Sequence, residues 1–176
     1  MLANIHHLAR LTLFLIIGVP ITYSQDHSVH DLAFLIGTWE VREDNEDRSW
    51  WEESTRTGRY VLDSTYIELD AVAISSSGKK RTYRWLIHYD WEAQQFEMVS
   101  FFSNWPRVQI DLLSWDPATR RLTIVNKPNP GPYHERYGVL EFGEDFTSYT
   151  WTGENKSGDP SNPNIWRYIE KGERRQ

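Results

Sequence analysis

The chain has 176 residues, with 19 Lys and Arg against 25 Asp and Glu, a formal charge of −6. That balance argues against nucleic acid as a partner, because a phosphate-tracking surface needs the opposite sign. Cysteine is absent, which excludes disulfides, thiolate metal sites and cysteine nucleophiles and leaves stability to a core rich in aromatic residues.

In chain order, residues 1–24 read as a cleaved export signal. Arg10, near His6 and His7, ends a weakly basic start; Leu11 to Ile21 is apolar, too short to span a bilayer, and broken by Gly18 and Pro20. Thr22 and Ser24 are small residues placed for a cut before Gln25. Its removal takes away one arginine and no acid, so residues 25–176 form one domain with charge −7. That length can enclose a single core. The expected location is periplasmic or extracellular, with no stable membrane span after cleavage.

Ser28 is placed to cap a short helix in which Val29, Leu32, Leu35 and Ile36 fall near helical spacing. Gly37 can take the left-handed conformation that ends it, so Thr38 and Trp39 open the first strand. Short runs rich in β-branched and aromatic residues then place strands at 38–44, 48–57, 59–74, 80–90, 95–104, 107–115, 120–126, 133–142, 145–152 and 164–171. No long stretch has a helical period.

The connections alternate in character. Gly58, Asp90 to Gln94, Asp116 to Thr119 and Gly143-Glu144 read as tight turns. Those around Asp44 to Asp47, Ser75 to Lys79, Lys127 to Pro132 and Gly153 to Pro163 read as longer loops, and only Trp105-Pro106 breaks the tendency. In a meander every second connection lies at one end, so one end is trimmed and the other carries loops. The expected fold is all-β: a single closed up-and-down antiparallel barrel of about ten strands, wide enough to hold a ligand, with the helix across its narrow end. Trp39 would plug that end.

Three stretches carry a resemblance: "HDLAFLIGTWEV", "GRYVLDSTYIELD" and "LIHYDWEAQQFEMVSFF". With their Gly-x-Trp start, Gly-Arg-Tyr strand opening and Tyr-Asp turn before an aromatic strand, they resemble the calycin-type family of exported bacterial proteins known as domain of unknown function 1579. The resemblance implies a lipocalin-like barrel with an interior for a small molecule and no established reaction. Haem-binding nitrobindins share the Gly-x-Trp start but continue it with Gly-x-Gly, where this chain has Glu40-Val41-Arg42, and no histidine follows His134 to serve as their late axial ligand. No cofactor is expected.

Residues at the inferred mouth that could hold a ligand are Trp51, Tyr66, Arg84, Phe102, Trp105, His134, Arg136 and Arg167. They combine aromatic surface with arginines able to grip an acidic group through paired hydrogen bonds. Period-two alternation leaves their direction open: Tyr83, Trp85, Ile87 and Tyr89 share one face, Arg84, Leu86 and His88 the other. No histidine pair has metal spacing, since His27 and His30 are a stray terminal pair, and no nucleophile motif is present, so neither a metal nor a catalytic residue is assigned.

The expected function is an exported barrel binding a small hydrophobic or amphipathic molecule, with an acidic group allowed by the arginines. Two alternatives stand beside it. One is a lumen-sited isomerase, cyclase or hydrolase using His88, His134, Glu68 or Glu135 as acid or base; the other is a solid-cored interaction module. The oligomeric state stays open.

Overall fold

The computed structural model describes residues 27–128 and 132–176, so the proposed export segment lies outside it. The strands are β1 (Gly37–Asn45), β2 (Trp51–Val61), β3 (Tyr66–Ser75), β4 (Lys80–Asp90), β5 (Gln95–Phe102), β6 (Trp105–Asp116), β7 (Arg121–Asn126), β8 (His134–Phe142), β9 (Ser148–Asp159) and β10 (Asn162–Arg174). Each pairs antiparallel with its neighbours in sequence. β1 also pairs with β10, Trp39 lying opposite Arg174 and Asn45 opposite Tyr168, so the sheet closes into a ten-stranded barrel. Closure leaves no unpaired sheet edge to recruit another chain.

A 3-10 helix, Val29–Leu35, precedes β1. Ser28 caps it in a capping box with Asp31, and its buried residues Val29, Leu32 and Leu35 recur every third position, the period of a 3-10 rather than an α-helix. The helix does not end on Gly37 as an α-helix would: Ile36 is its extended C-cap, and Gly37 then turns the chain into β1 with φ of 115°. Phe34 packs on Trp115, Phe142 and Phe146, and its carbonyl accepts a hydrogen bond from Arg174, which ties the helix to the narrow end of the barrel.

Three turn assignments need correction, the smallest being Trp105-Pro106, which begins β6 while the turn falls at Ser103-Asn104. Gly58 is not a turn but lies inside β2, opposite Gly37 and Leu69. A Cβ there would stand 2.1 Å from the carbonyl oxygen of Leu35, so the glycine is needed where the helix crosses the strand. The turn falls instead at residues 62–65, where Leu62, Asp63 and Ser64 all adopt positive φ. Likewise the stretch from Gly153 to Pro163 is not a long loop. β9 and β10 continue through it to a two-residue hairpin at Pro160-Ser161, and Gly153 lies beneath the Tyr168 ring, 2.2 Å from Cζ if it carried a Cβ.

Inward side chains change character along the barrel axis. Towards the narrow end they are apolar: Trp39, Leu69, Ile87, Met98, Leu113, Leu122, Ile124, Leu140 and Phe142 form one buried cluster under the 3-10 helix. Towards the opposite end, whose connections are no longer as a set than those beside the helix, the same faces turn polar, as β8 shows by running Phe142, Leu140, Gly138, Arg136, His134. The lower half of the barrel is therefore solid, and the upper half is where a cavity can form.

Candidate functional site

The upper half is a cup of about 320 Å³, open at the end opposite the 3-10 helix. Alternation on each strand sets its lining. Val41 and Glu43 come from β1; Glu52, Ser54 and Arg56 from β2; Arg81, Tyr83 and Trp85 from β4; Arg136 from β8; Tyr168 and Glu170 from β10. Beneath it a void of about 30 Å³, walled by side chains such as Trp39, Leu69 and Ile87, has room for little more than one water molecule.

Arg56, Trp85 and Trp151 line both spaces and make the floor. Arg56 is 8 % exposed and Glu170 3 %. They form a two-pronged pair, with Arg56 Nη1 donating to Glu170 Oε1 at 3.0 Å and Nη2 to Oε2 at 2.9 Å, while the Tyr149 hydroxyl donates to Oε1 at 2.7 Å. Burial pulls the guanidinium pKa down, but the facing Glu170 carboxylate and Tyr149 outweigh it and the net shift is upward. The ring of Trp85 lies 4.8 Å from the same guanidinium. Arg136 repeats the arrangement across the cup: Nη1 donates to Asp111 at 2.9 Å, Gln109 donates to the other Asp111 oxygen at 2.8 Å, and the guanidinium lies 5.0 Å from the Trp151 ring. Beside it lies the buried Tyr168 hydroxyl, whose pKa is pushed up to about 12, chiefly by burial, with Arg136 acting in the opposite direction.

Higher in the cup, Glu52 accepts from Tyr83 at 2.6 Å and from Arg81 at 3.2 Å. Burial first, and then donation to Glu52, raise the Tyr83 phenol. At the rim Trp50 and Trp166 meet edge to face, and Phe102, Trp105 and His134 form a second aromatic group. Burial, followed by the nearby Arg136, lowers the pKa of His134.

Glu43 is the exception among these carboxylates. Cross-strand pairing sets it directly between Glu52 and Glu170. Among the described residues it has no hydrogen bond and no ion pair, so burial and then the fields of Glu170 and Glu52 raise its pKa to about 8. A carboxyl whose folded pKa lies above its unfolded value favours the fold at low pH and loses that contribution as pH rises from about 4.5 to about 8. Glu43→Gln is accordingly expected to gain about 2 kcal/mol over wild type at pH 8 and little at pH 5, given screening by solvent in the cup. Urea denaturation at the two pH values measures this, and an equal effect at both would refute it.

Of the eight residues expected at the site, Phe102, Trp105, His134 and Arg136 line the cup. The other four lie on the outer wall. Trp51 stacks beside Arg42 at 4.9 Å, and Tyr66 packs on His88. Arg84 donates to Asp70 at 2.7 Å and Arg167 to Glu154 at 2.6 Å. Alternation explains each miss, since their inward neighbours are Trp50, Ile67, Tyr83 and Tyr168. Glu43, Glu52, Arg56, Arg81 and Glu170 were not anticipated at all. Counting by twos from the buried residues at the narrow end, Trp39 to Val41 to Glu43 and Ile87 to Trp85 to Tyr83 to Arg81, would have reached two of them. The outer wall hides that signal by carrying apolar residues of its own, including Val72, Ile74 and Ile169.

No family model and no curated protein matches the sequence. Among solved structures, the chain is similar to the S-type phycobiliprotein lyase from Guillardia theta, with a TM-score of 0.56, 10% identity, and coverage of 86% of this chain and 94% of that one. It is also similar to a de novo designed fluorescence-activating β-barrel, with a TM-score of 0.45, 15% identity, and coverage of 81% and 95%. At these identities the likeness to the lyase is one of fold alone.

Proposed function

We propose that this protein is a binding barrel that holds one small amphipathic molecule in the cup, its apolar part against the aromatic rim and its polar part against the charged wall. The observation that carries this reading is the cup itself. At about 320 Å³ it falls within the range of small-molecule sites, and rings alternate with polar groups around it. A purely apolar ligand fits less well, because the apolar half of the barrel is filled and leaves only about 30 Å³. The arginines give little support for an acidic head group: Arg84 and Arg167 face outward, and Arg56, Arg81 and Arg136 each already face a carboxylate. Export, with residues 1–24 as its signal, and kinship with the calycin-type family belong to the same proposal. Their support is the character of the N-terminal stretch and the agreement of the barrel with the fold that the resemblance implies.

Native mass spectrometry of protein isolated from its own source tests the reading. A bound species of small-molecule mass is expected in wild type, and its loss is expected in a folded Ser54→Trp variant that fills the cup. An empty wild-type cup, with no stabilisation by any compound of an amphipathic panel, would overturn it.

One observation favours a second reading. Glu43 stands on the wall of a partly desolvated cup with no guanidinium against it among the described residues, and burial with its acidic neighbours raises its pKa to about 8, which suits general acid–base work. Of the four acid–base candidates from the sequence, Glu68 pairs with Arg59 and Arg84 on the outer wall, His88 packs there beside Tyr66, and Glu135 is exposed. Only His134 joins Glu43 in the cup. Retained ligand binding with lost turnover in Glu43→Gln would select this reading over a carrier.

A further inference from the structure

We propose that the molecule held in the cup carries a positive charge, an ammonium group on an apolar body, and that this charge sits against Glu43. The inference rests on the binding-barrel reading and names the ligand class of that same site.

The argument is one of charge matching. Among the described residues, four carboxylates and three guanidiniums face inward in the upper barrel. Three pairs are closed among themselves: Arg56 with Glu170, Arg81 with Glu52, and Arg136 with Asp111. Glu43 is left over. When all of these groups are ionised the cup carries one uncompensated negative charge, and it lies on the wall of the cavity rather than in a closed pair. An anion entering there meets that charge and finds, among the described residues lining the cup, no arginine free of a carboxylate. A cation relieves it.

The surroundings suit an organic cation rather than a metal ion. No group of three or more His, Asp or Glu side chains among the described residues has a geometry that could hold a metal. Towards the mouth are the rings of Trp50, Tyr83, Phe102, Trp105 and Trp166, and aromatic faces attract ammonium groups while accepting apolar carbon.

Proton linkage gives the test its sign. The groups whose fields reach Glu43 are Glu52 and Arg56 from β2, Glu170 and Tyr168 from β10, Arg136 from β8 and Tyr149 from β9. Their sum, with burial, keeps Glu43 protonated at neutral pH. A bound cation favours the carboxylate, so binding must expel the proton. Affinity should then rise about tenfold per pH unit while Glu43 is protonated and flatten near pH 8. His134 loses any positive charge below this window, its pKa being lowered.

Isothermal titration calorimetry with 4-phenylbutylamine and its acidic counterpart 4-phenylbutyrate, in two buffers of different ionisation heat between pH 6.5 and 8, reads affinity and proton exchange together. The amine is expected to bind more tightly than the acid and to release close to one proton at pH 7. In Glu43→Gln, shown to be folded by its circular dichroism, amine affinity should fall at least tenfold at pH 8 and lose its pH slope. Tighter binding of the butyrate, proton uptake, or amine binding indifferent to Glu43→Gln would each overturn the inference while leaving the barrel a binder. If neither probe binds, the species found by native mass spectrometry decides: a compound lacking a basic nitrogen refutes the cationic ligand, and an empty barrel refutes the binding reading itself.

Discussion

Glu170→Ala is expected to destabilise the protein by about 3–5 kcal/mol, because it leaves the Arg56 guanidinium charged, buried and unpaired at the floor of the cup. The guanidinium cannot escape by losing its proton, and Trp85 and Tyr149 supply no negative charge at neutral pH; Glu43, freed of the repulsion of Glu170, can ionise and offset part of the cost, which places the loss at the lower end of that range. Removing both partners is a different experiment. An Arg56→Met, Glu170→Met double variant keeps the volume and discards the unmatched charge, so most of the loss should be recovered. Urea denaturation of the single and double variants measures the difference. If the double variant is as unstable as the single, packing by these two chains matters more than their charge.

Trp39→Ala is expected to cost a similar amount, about 3–5 kcal/mol, for an unrelated reason. Trp39 is 2 % exposed, packs against Phe142 and Tyr149, and lies 4.7 Å from the Arg174 guanidinium. Its removal enlarges the small void above the 3-10 helix, which the surrounding strands, fixed by closure of the sheet, cannot collapse to fill. For a domain of this size the midpoint of thermal unfolding should fall by about 10 °C. Trp39 does not line the cup, so binding of a cup ligand to the folded variant should change little. Loss of binding at unchanged stability would make Trp39 a ligand residue instead of a packing residue.

The two predictions concern the two halves of one barrel, and the halves differ in how far they can be read from the sequence. Ser28, the three-residue spacing of Val29, Leu32 and Leu35, and Gly37 announce the narrow end directly, because capping and glycine conformation are local effects. Strand number is legible for the same reason, whereas the expected alternation of short and long connections is absent: the cup end has two-residue hairpins at 103–104 and 160–161 beside its longer loops, and the helix end has turns of four or five residues. Gly58 and Gly153 misled because a glycine demanded by close approach of a distant group looks the same in sequence as one demanded by a turn.

The cup was legible only in part. Phe102, Trp105, His134 and Arg136 were found because aromatic residues and cations at the strand ends remote from the helix are conspicuous. Trp51, Tyr66, Arg84 and Arg167 share that character and point the other way. Glu43 looks ordinary in "WEVRED", one acid among several. Its distinction lies in facing Glu52 and Glu170 across two strand boundaries, and neither register is written in its own strand.

The sequence by itself determined that the chain would form short antiparallel strands in up-and-down order, stopped at one end by a capped helical turn, since period-two patterning, turn residues and caps act over a few positions. Only the tertiary structure decided which face of each strand looks inward and which carboxylate is left without a guanidinium. Both depend on closing β1 against β10, residues far apart along the chain, and on a lumen whose low polarisability makes one unmatched charge matter.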